Sequence, residues 1–193
     1  MKKLYYDNIA IKHTKLKKEV NKKRGLKYHT LQFLANLTRS TSLLYGYLIR
    51  RIIYKLALKK CGSGLIIHPY SVIKFPQKIE IGDYCSINQF CFINGLQGIK
   101  IGDNVSISAG SNIVSQTVQN ERMEALGFGK VKPNRFKPIE IGDNSWVACG
   151  CLIGPGVKIG KNCQIGANSV VLDNIPDRCF AAGTPAKIIK KIR

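Results

Sequence analysis

Cysteine and histidine are the side chains of this sequence that could carry chemistry, and their spacing limits what that chemistry is. Seven cysteines include Cys149 and Cys151, which by type could form a metal or redox pair. One intervening residue is the wrong spacing for a zinc knuckle, whose paired cysteines are separated by about two to four residues. An odd number of cysteines is also typical of a reducing compartment. We therefore expect no metal site and a cytoplasmic protein.

Positive charge is concentrated at the N-terminus. The net charge is +20, and residues 1–60 hold sixteen Lys and Arg against only Asp7 and Glu19. The positive electrostatic potential of such a segment favours anionic partners, for example nucleic acid, acidic lipid or phosphorylated substrates. No nucleic-acid-binding motif accompanies the charge, so we expect no nucleic-acid partner. We also expect no secretory signal and no membrane span, because three basic residues interrupt the apolar run at 43–58.

Residues 41–60 predict an amphipathic helix. Apolar residues recur at helical spacing on one side of this helix, and basic residues surround them. The residues on that side are Leu44, Leu48, Ile52 and Leu56, followed by Lys59. One interpretation is a helix packed on the domain or on a neighbouring subunit. The other is a basic helix lying on an anionic membrane surface. We interpret residues 1–40 as a solvated tail, so that 1–62 form a basic N-terminal extension.

A six-residue repeat organises the rest of the chain. Each unit begins with an aliphatic residue, and its clearest copies are Ile81-Gly82-Asp83, Ile101-Gly102-Asp103 and Ile141-Gly142-Asp143. Six residues suit a short strand and a tight turn, with three units making one coil of a prism. The first position points into the core, and the fifth must be small to fit inside a corner. This rule accounts for Cys85, Cys91, Cys151 and Cys163, and predicts an all-β parallel helix over residues 63–193 with a short C-terminal tail.

The repeat is interrupted once, by a long loop at about 117–137. The units at Ile73 and Ile93 carry two extra residues each, and the unit at Ile113 carries 22. These units are 20 residues apart, so their insertions stack at one corner of the prism. Long loops in compact domains are usually functional. The loop could dock on a neighbouring subunit or form the mobile wall of a site.

The repeat, the loop, the run Ile141 to Val157 and the segment Ala182-Gly183-Thr184-Pro185-Ala186-Lys187 resemble the hexapeptide-repeat acyltransferases. The similarity covers about residues 65–193 and is greatest to the galactoside, maltose and colanic-acid type O-acetyltransferases. It implies a left-handed coil and a homotrimer. It also implies transfer of an acetyl group from acetyl-CoA to a hydroxyl or amine, in a cleft between two subunits.

The resemblance implies roles for individual residues. Asn88 matches an asparagine that orients the acceptor. Trp146 matches a tryptophan of the cleft, and Cys149 occupies the position of a small residue at the thioester end of CoA. Ala167 matches a backbone contact to the pantetheine arm. The basic residues that meet the CoA phosphates are matched by Lys187 and Lys190.

The chain departs from the family at the general base. The family places a histidine at the start of the loop, where it takes the acceptor proton during attack on the thioester. Gln116 stands there in this chain, and we expect its amide to hold a hydroxyl or a water in the site, although it cannot accept that proton. The histidines are His13, His29 and His68. We interpret His68 as structural, since it could act only near the loop corner of a neighbouring subunit. The zinc histidines of a γ-class carbonic anhydrase, which shares this fold, are also absent.

Three outcomes remain open. The acceptor could be an amine, which needs no strong base, or the base could come from elsewhere, such as Glu121 or Glu124. Alternatively, the chain is an inactive β-helix used for CoA or sugar binding or for assembly. We expect an acetyl-CoA-dependent acetyltransferase acting on a sugar hydroxyl or amine in surface polysaccharide biosynthesis. The basic helix would hold it near a nucleotide-linked or lipid-linked acceptor at the inner face of the membrane.

Overall fold

Short strands of three parallel sheets form the body of the protein. The computed structural model describes residues 26–116 and 137–193. Sheet A contains β1 (Lys60–Cys61), β4 (Ile79–Ile81), β7 (Ile99–Ile101), β10 (Ile139–Ile141) and β13 (Lys158–Ile159). Sheet B contains β2 (Ile66–Ile67), β5 (Ser86–Ile87), β8 (Ser106–Ile107), β11 (Trp146–Val147), β14 (Gln164–Ile165), β16 (Cys179–Gly183) and β17 (Ala186–Lys191). Sheet C contains β3 (Val72–Lys74), β6 (Phe92–Asn94), β9 (Asn112–Val114), β12 (Leu152–Ile153) and β15 (Val170–Val171).

The register confirms the predicted prism. Ile79 pairs with Ile99 and Ile99 with Ile139, so equivalent units stack directly. The first-position side chains fill the centre; Ile73 and Ile113 are fully buried. At the C-terminal end, β16 and β17 form an antiparallel pair that extends sheet B.

The fifth-position cysteines are buried at the corners, as predicted, and they also join successive coils. The Sγ atoms of Cys85, Cys151 and Cys163 donate to carbonyl oxygens of the next coil at 3.0, 3.1 and 3.0 Å. Burial raises the pKa of Cys91 to about 11, so this thiol stays protonated at neutral pH. These cysteines therefore have a structural role.

The aspartates of the Ile-Gly-Asp units join the coils along the edge between sheets A and B. Oδ1 of Asp103 accepts a hydrogen bond from the backbone N–H of Asp83 at 2.8 Å, and Oδ1 of Asp143 accepts one from Asp103 at 3.0 Å. A Cβ atom at Gly82 would overlap this carboxylate of Asp103. The glycine is therefore required by the close approach of the next coil.

Two helices, α1 (Leu26–Leu37) and α2 (Leu44–Ala57), cover the N-terminal end of the prism. The interpretation of residues 1–40 as a solvated tail is wrong for 26–37, which form α1. Arg50 fastens both helices to the first coil, since its buried guanidinium donates to the carbonyls of Ile67, Thr38 and Thr41 at 2.9, 2.6 and 2.8 Å. Among the described residues, no helix is long and apolar enough to cross a membrane.

The apolar side of α2 faces away from the prism. The four leucine and isoleucine residues at helical spacing are each more than half exposed, and we call Leu44, Leu48, Ile52 and Leu56 the α2 stripe. The opposite side of the helix, with Arg50, Ile53 and Tyr54, is buried instead. The predicted helix is thus present, but the stripe is not the face that packs on this chain.

The described residues on either side of the predicted loop pair with neighbouring coils at one corner of the prism. The backbone N–H of Ser115 donates to Asn94 at 3.0 Å, and that of Ile139 donates to Gly98 at 3.2 Å. The segment therefore leaves and rejoins the prism at the edge between sheets C and A, called the C–A edge. A 3₁₀ turn at Pro76–Lys78 lies on the same edge. Residues 117–136 are outside the described part of the chain, as are Glu121 and Glu124.

Candidate active site

Most of the predicted site residues lie on sheet B or along the edge where it meets sheet C. We call this the B–C edge, and it consists of the turns 68–71, 88–91, 108–111, 148–151 and 166–169. Each turn follows a strand of sheet B, so the parallel register places corresponding turn residues in columns. The edge therefore determines which side chains of distant sequence positions become neighbours.

Asn88 lies in the second turn of the B–C edge and is held in place by three hydrogen bonds. Its backbone N–H and its side-chain Nδ2 both donate to the carbonyl of Ile107, at 2.9 and 3.0 Å. Its carbonyl oxygen accepts a hydrogen bond from Ser71 Oγ at 2.6 Å. Within the described ranges, the Oδ1 atom accepts no hydrogen bond. A fixed amide with an available oxygen is suited to accept a hydrogen bond from a hydroxyl or amine.

Three residues matched to the CoA cleft follow along sheet B and the same edge. Trp146 is half-exposed on β11, and its Nε1–H donates to Ser108 Oγ at 2.8 Å. Cys149 is exposed in the fourth turn and Ala167 is exposed in the fifth. The carbonyl of Cys149 accepts the backbone N–H of Asn168 at 2.8 Å, which fixes the two turns to each other. These positions form one continuous accessible surface.

The two lysines lie at the C-terminal end of this surface. Lys187 and Lys190 are exposed on β17, the last strand of sheet B. Lys187 Nζ lies 3.9 Å from Asp173 Oδ2, and both side chains are more than two-thirds exposed. An ion pair so exposed to solvent is weak, so either lysine can turn towards a phosphate.

Gln116 lies on a different edge from Asn88. It follows β9 at the C–A edge, and its Oε1 atom is buried without a hydrogen-bond partner among the described residues. One chain therefore does not bring Gln116 and Asn88 together. A site that contains both requires the C–A edge of one copy against the B–C edge of another, which is the arrangement that the resemblance implies.

The described carboxylates lie away from the B–C edge. Glu80 and Glu140 are on sheet A, the aspartates at 83, 103, 143 and 177 are on the edge between sheets A and B, and Asp173 follows β15 at the C–A edge. Ion pairs also line a groove of about 680 Å³ on sheet A, where Lys158 lies 3.1 Å from Glu140. A hydrogen bond from Lys161 lowers the pKa of Asp143 in the same groove. These paired charges stabilise coil stacking and are far from the predicted contacts.

Sequence reasoning did not anticipate two features of the B–C edge. His68 lies in the first turn, in the same column as Asn88, because Ile67 pairs with Ile87. Tyr70 and Phe90 lie two residues further on, stacked with ring centroids 5.2 Å apart and planes 9° apart. Both aromatic rings are exposed. The sequence does carry a signal for both pairs. His68 and Asn88, like Tyr70 and Phe90, are 20 residues apart, which equals the spacing of the early repeats.

Comparison with known proteins identifies the class. Residues 138–173 match the bacterial transferase hexapeptide family of six repeats. A Saccharomyces cerevisiae protein provisionally named an acetyltransferase is 37% identical over 140 residues, which cover 70% of this chain and 67% of that protein. An Escherichia coli K12 protein provisionally named a colanic acid biosynthesis acetyltransferase is 28% identical over 152 residues, 79% of each chain.

A solved structure agrees with this assignment. A galactoside acetyltransferase in complex with coenzyme A superposes with a TM-score of 0.72 and 27% identity, over 86% of this chain and 81% of that one. The chain belongs to the hexapeptide-repeat acetyltransferases. It is an acyltransferase built on a left-handed parallel β-helix, so the fold and activity implied by the sequence resemblance are confirmed. The roles of individual residues stay predictions.

Proposed function

We propose that this protein transfers the acetyl group of acetyl-CoA to a hydroxyl or amine of a sugar, in a cleft between two copies of a homotrimer. The observation that carries the proposal is the distribution of the site residues over two edges. Asn88 and the residues matched to CoA share sheet B and the B–C edge, whereas Gln116 lies on the C–A edge. Three copies around a threefold axis would bring the two kinds of edge together at three equivalent sites.

The surface is suited to an extended donor. Trp146 and Cys149 lie on one coil, Ala167 lies on the next, and Lys187 is on β17 at the C-terminal end of the prism. A pantetheine arm lying along this edge would place its thioester near Cys149 and its phosphates near the lysines of β17. The galactoside acetyltransferase that shares this fold was solved with coenzyme A bound, which supports acetyl-CoA as the donor.

The acceptor side is suited to a sugar. Phe90 lies two residues beyond Asn88 in the same turn and stacks on Tyr70 of the first turn, and together they present an exposed aromatic surface. Aromatic side chains with a few well-placed polar groups are the usual lining of small-molecule sites. The names of the relatives, a galactoside acetyltransferase and a colanic acid biosynthesis acetyltransferase, support a sugar of surface polysaccharide assembly. Such sugars are built on nucleotide or lipid carriers.

The helical extension supports a location at the inner face of the membrane. The α2 stripe is exposed, and no Asp or Glu occurs between residues 20 and 79. Basic side chains of α2 that flank the stripe, including Arg51 and Lys55, are exposed as well. An apolar stripe whose charged neighbours on the helix are all cations suits an anionic lipid surface. The enzyme would thus be cytoplasmic and peripheral, close to a lipid-linked acceptor.

The activity is tested with the purified full chain, acetyl-CoA and a panel of amino and hydroxy sugars and their nucleotide-linked forms. Free CoA and acetylated product are quantified by chromatography, because the exposed Cys149 thiol would react with thiol dyes. We expect product with at least one sugar and a loss of about a hundredfold in Asn88→Ala. Acetyl-CoA binding without product from any acceptor would support the inactive alternative.

A further inference from the structure

The third residue of every turn of the B–C edge has the left-handed backbone conformation, with φ between 55° and 72°. These residues form one column, which along the chain consists of Tyr70, Phe90, Gly110, Gly150 and Asn168. Glycine and asparagine tolerate this conformation, whereas bulky side chains rarely adopt it. The column is therefore unusual in its first two turns, where aromatic rings precede two positions that have no side chain.

The change in the column leaves a slot over Gly110, which we call the Gly110 slot. On one side, Phe90 stacks on Tyr70 with ring centroids 5.2 Å apart, so its other face is turned towards the third turn. On the other side, the Asn168 amide leans over Gly150, since a Cβ atom there would overlap its Oδ1. A Cβ atom at Gly110 would instead lie 3.9 Å from the nearest described atoms beyond the adjoining residues. Strands two coils apart are separated by about 10 Å, which leaves room for one ring in the slot.

The Gly110 slot lies between the residue that we assign to the acceptor and the residue that we assign to the thioester. Asn88 is in the preceding turn, and its Nδ2 donates to a carbonyl of the third coil at 3.0 Å. Trp146 reaches the third coil from the fourth, through its hydrogen bond to Ser108 at 2.8 Å. The turn that contains Cys149 is the next one along the edge, about 5 Å away. A ring in the slot would therefore lie within one coil of both assigned groups.

We propose that the Gly110 slot holds the pyranose ring of the acceptor, with one C–H face of the sugar stacked on Phe90. The inference rests on the proposed function and names the feature of the acceptor that the enzyme recognises. The negative face of an aromatic ring attracts the C–H groups of a sugar, while the hydroxyl groups at the sugar's rim stay free for hydrogen bonds. An open-chain hydroxyl compound offers no such face, so Phe90 selects cyclic over acyclic acceptors.

The test variants keep the left-handed conformation and change only the slot. Phe90→Asn removes the ring, and Gly110→Asn fills the open position; asparagine tolerates both sites, so both variants should fold. Tyr84→Asn is the matched control, because Tyr84 has a φ of 54° and is 72% exposed on the edge between sheets A and B.

The kinetic readout uses the sugar from the activity panel that gives the most product. We expect Phe90→Asn to raise the KM for this sugar about tenfold and to leave the KM for acetyl-CoA within about twofold. Gly110→Asn should lower kcat/KM for the sugar by about a hundredfold, because its side chain displaces the ring from the reacting position. Tyr84→Asn should retain wild-type values.

Two further measurements separate recognition of the ring from a structural role. Wild-type protein should prefer the sugar over its open-chain alditol by about tenfold in kcat/KM, and Phe90→Asn should lose this preference. In NMR spectra, the C–H protons of the bound sugar should shift upfield through the ring current of Phe90. This shift should largely disappear in Phe90→Asn and persist in Tyr84→Asn.

A wild-type KM for the sugar in Phe90→Asn, or equal wild-type rates with sugar and alditol, would overturn the assignment and leave the proposed function standing. A Phe90→Asn chain that no longer forms trimers would also overturn it, because a second copy would then occupy the slot. A wild-type chain that acetylates no acceptor but shows the upfield shift would overturn the proposed function and leave a sugar-binding slot. Absence of both acetylation and the shift would overturn both.

Discussion

Replacing two residues of the α2 stripe should strongly weaken membrane association without unfolding the protein. Leu48 and Ile52 are 51% and 61% exposed, so about half of each side chain is available to enter the lipid interface. Full burial of such a side chain is worth about 2 kcal/mol, so Leu48→Gln with Ile52→Gln should weaken partitioning by about 2 kcal/mol. This corresponds to about a thirtyfold loss of vesicle affinity.

The assay is sedimentation with vesicles of phosphatidylglycerol and phosphatidylcholine, compared with phosphatidylcholine alone. Wild-type protein should bind only the anionic vesicles and should be released by salt, because the flanking Arg51 and Lys55 act through screened charge. Leu172→Gln is the matched control, since Leu172 is 57% exposed on the C–A edge, away from both helices. The double variant should keep the wild-type melting temperature because neither side chain lies in the core.

Two results would refute this reasoning. The first is wild-type protein that stays in the supernatant with anionic vesicles at low salt. The second is a double variant whose oligomer falls apart, which would show that a second copy of the chain covers the α2 stripe.

Three further outcomes are expected. Arg50→Met removes three hydrogen bonds that a charged guanidinium donates to carbonyls, so it should destabilise the protein by about 3 kcal/mol or more, with faster hydrogen exchange in α1 and α2 than in the strands. Ile113→Ala empties a fully buried position and should cost about 2–5 kcal/mol in denaturant unfolding. Cys149 is exposed and should be alkylated well before Cys91, with acetyl-CoA slowing its modification in peptide mass spectra. Equal alkylation rates for Cys149 and Cys91, or no protection of Cys149 by acetyl-CoA, would contradict the placement of Cys149 at the donor site.

The β-helix could be predicted because its repeat constrains every sixth residue. The first position of each unit points inward and must be aliphatic, and the fifth position lies inside a corner and must be small. The residue types at Ile93 and Cys91 are therefore enough to predict that both side chains are buried. The hand of the coil could not be derived in this way. A coil of the opposite hand would bury the same positions, so the handedness came from resemblance.

The helices and the site were less predictable because backbone hydrogen bonds decide them. Hydrophobic periodicity identified α2 but not its packed face, since Arg50 is buried by bonding to carbonyls rather than by being apolar. Helix α1 was missed because the dense positive charge of residues 1–40 indicated a solvated tail, although α1 itself is rich in leucine and Ala35 packs against the core. That His68 lies one coil from Asn88 could not be derived from residue types, because the register of β2 on β5 decides which turns become neighbours.

The central claim, a site shared between two copies, is tested most directly with mixed trimers. Asn88→Ala changes the B–C edge, and Gln116→Arg places a bulky charge on the C–A edge. Each variant alone should be inactive. Equal amounts, unfolded and reassembled together, should regain about a quarter of wild-type acetyl transfer, because one interface in four pairs two intact edges. No recovery from correctly assembled mixed trimers, or full activity of the Gln116 variant alone, would contradict the account.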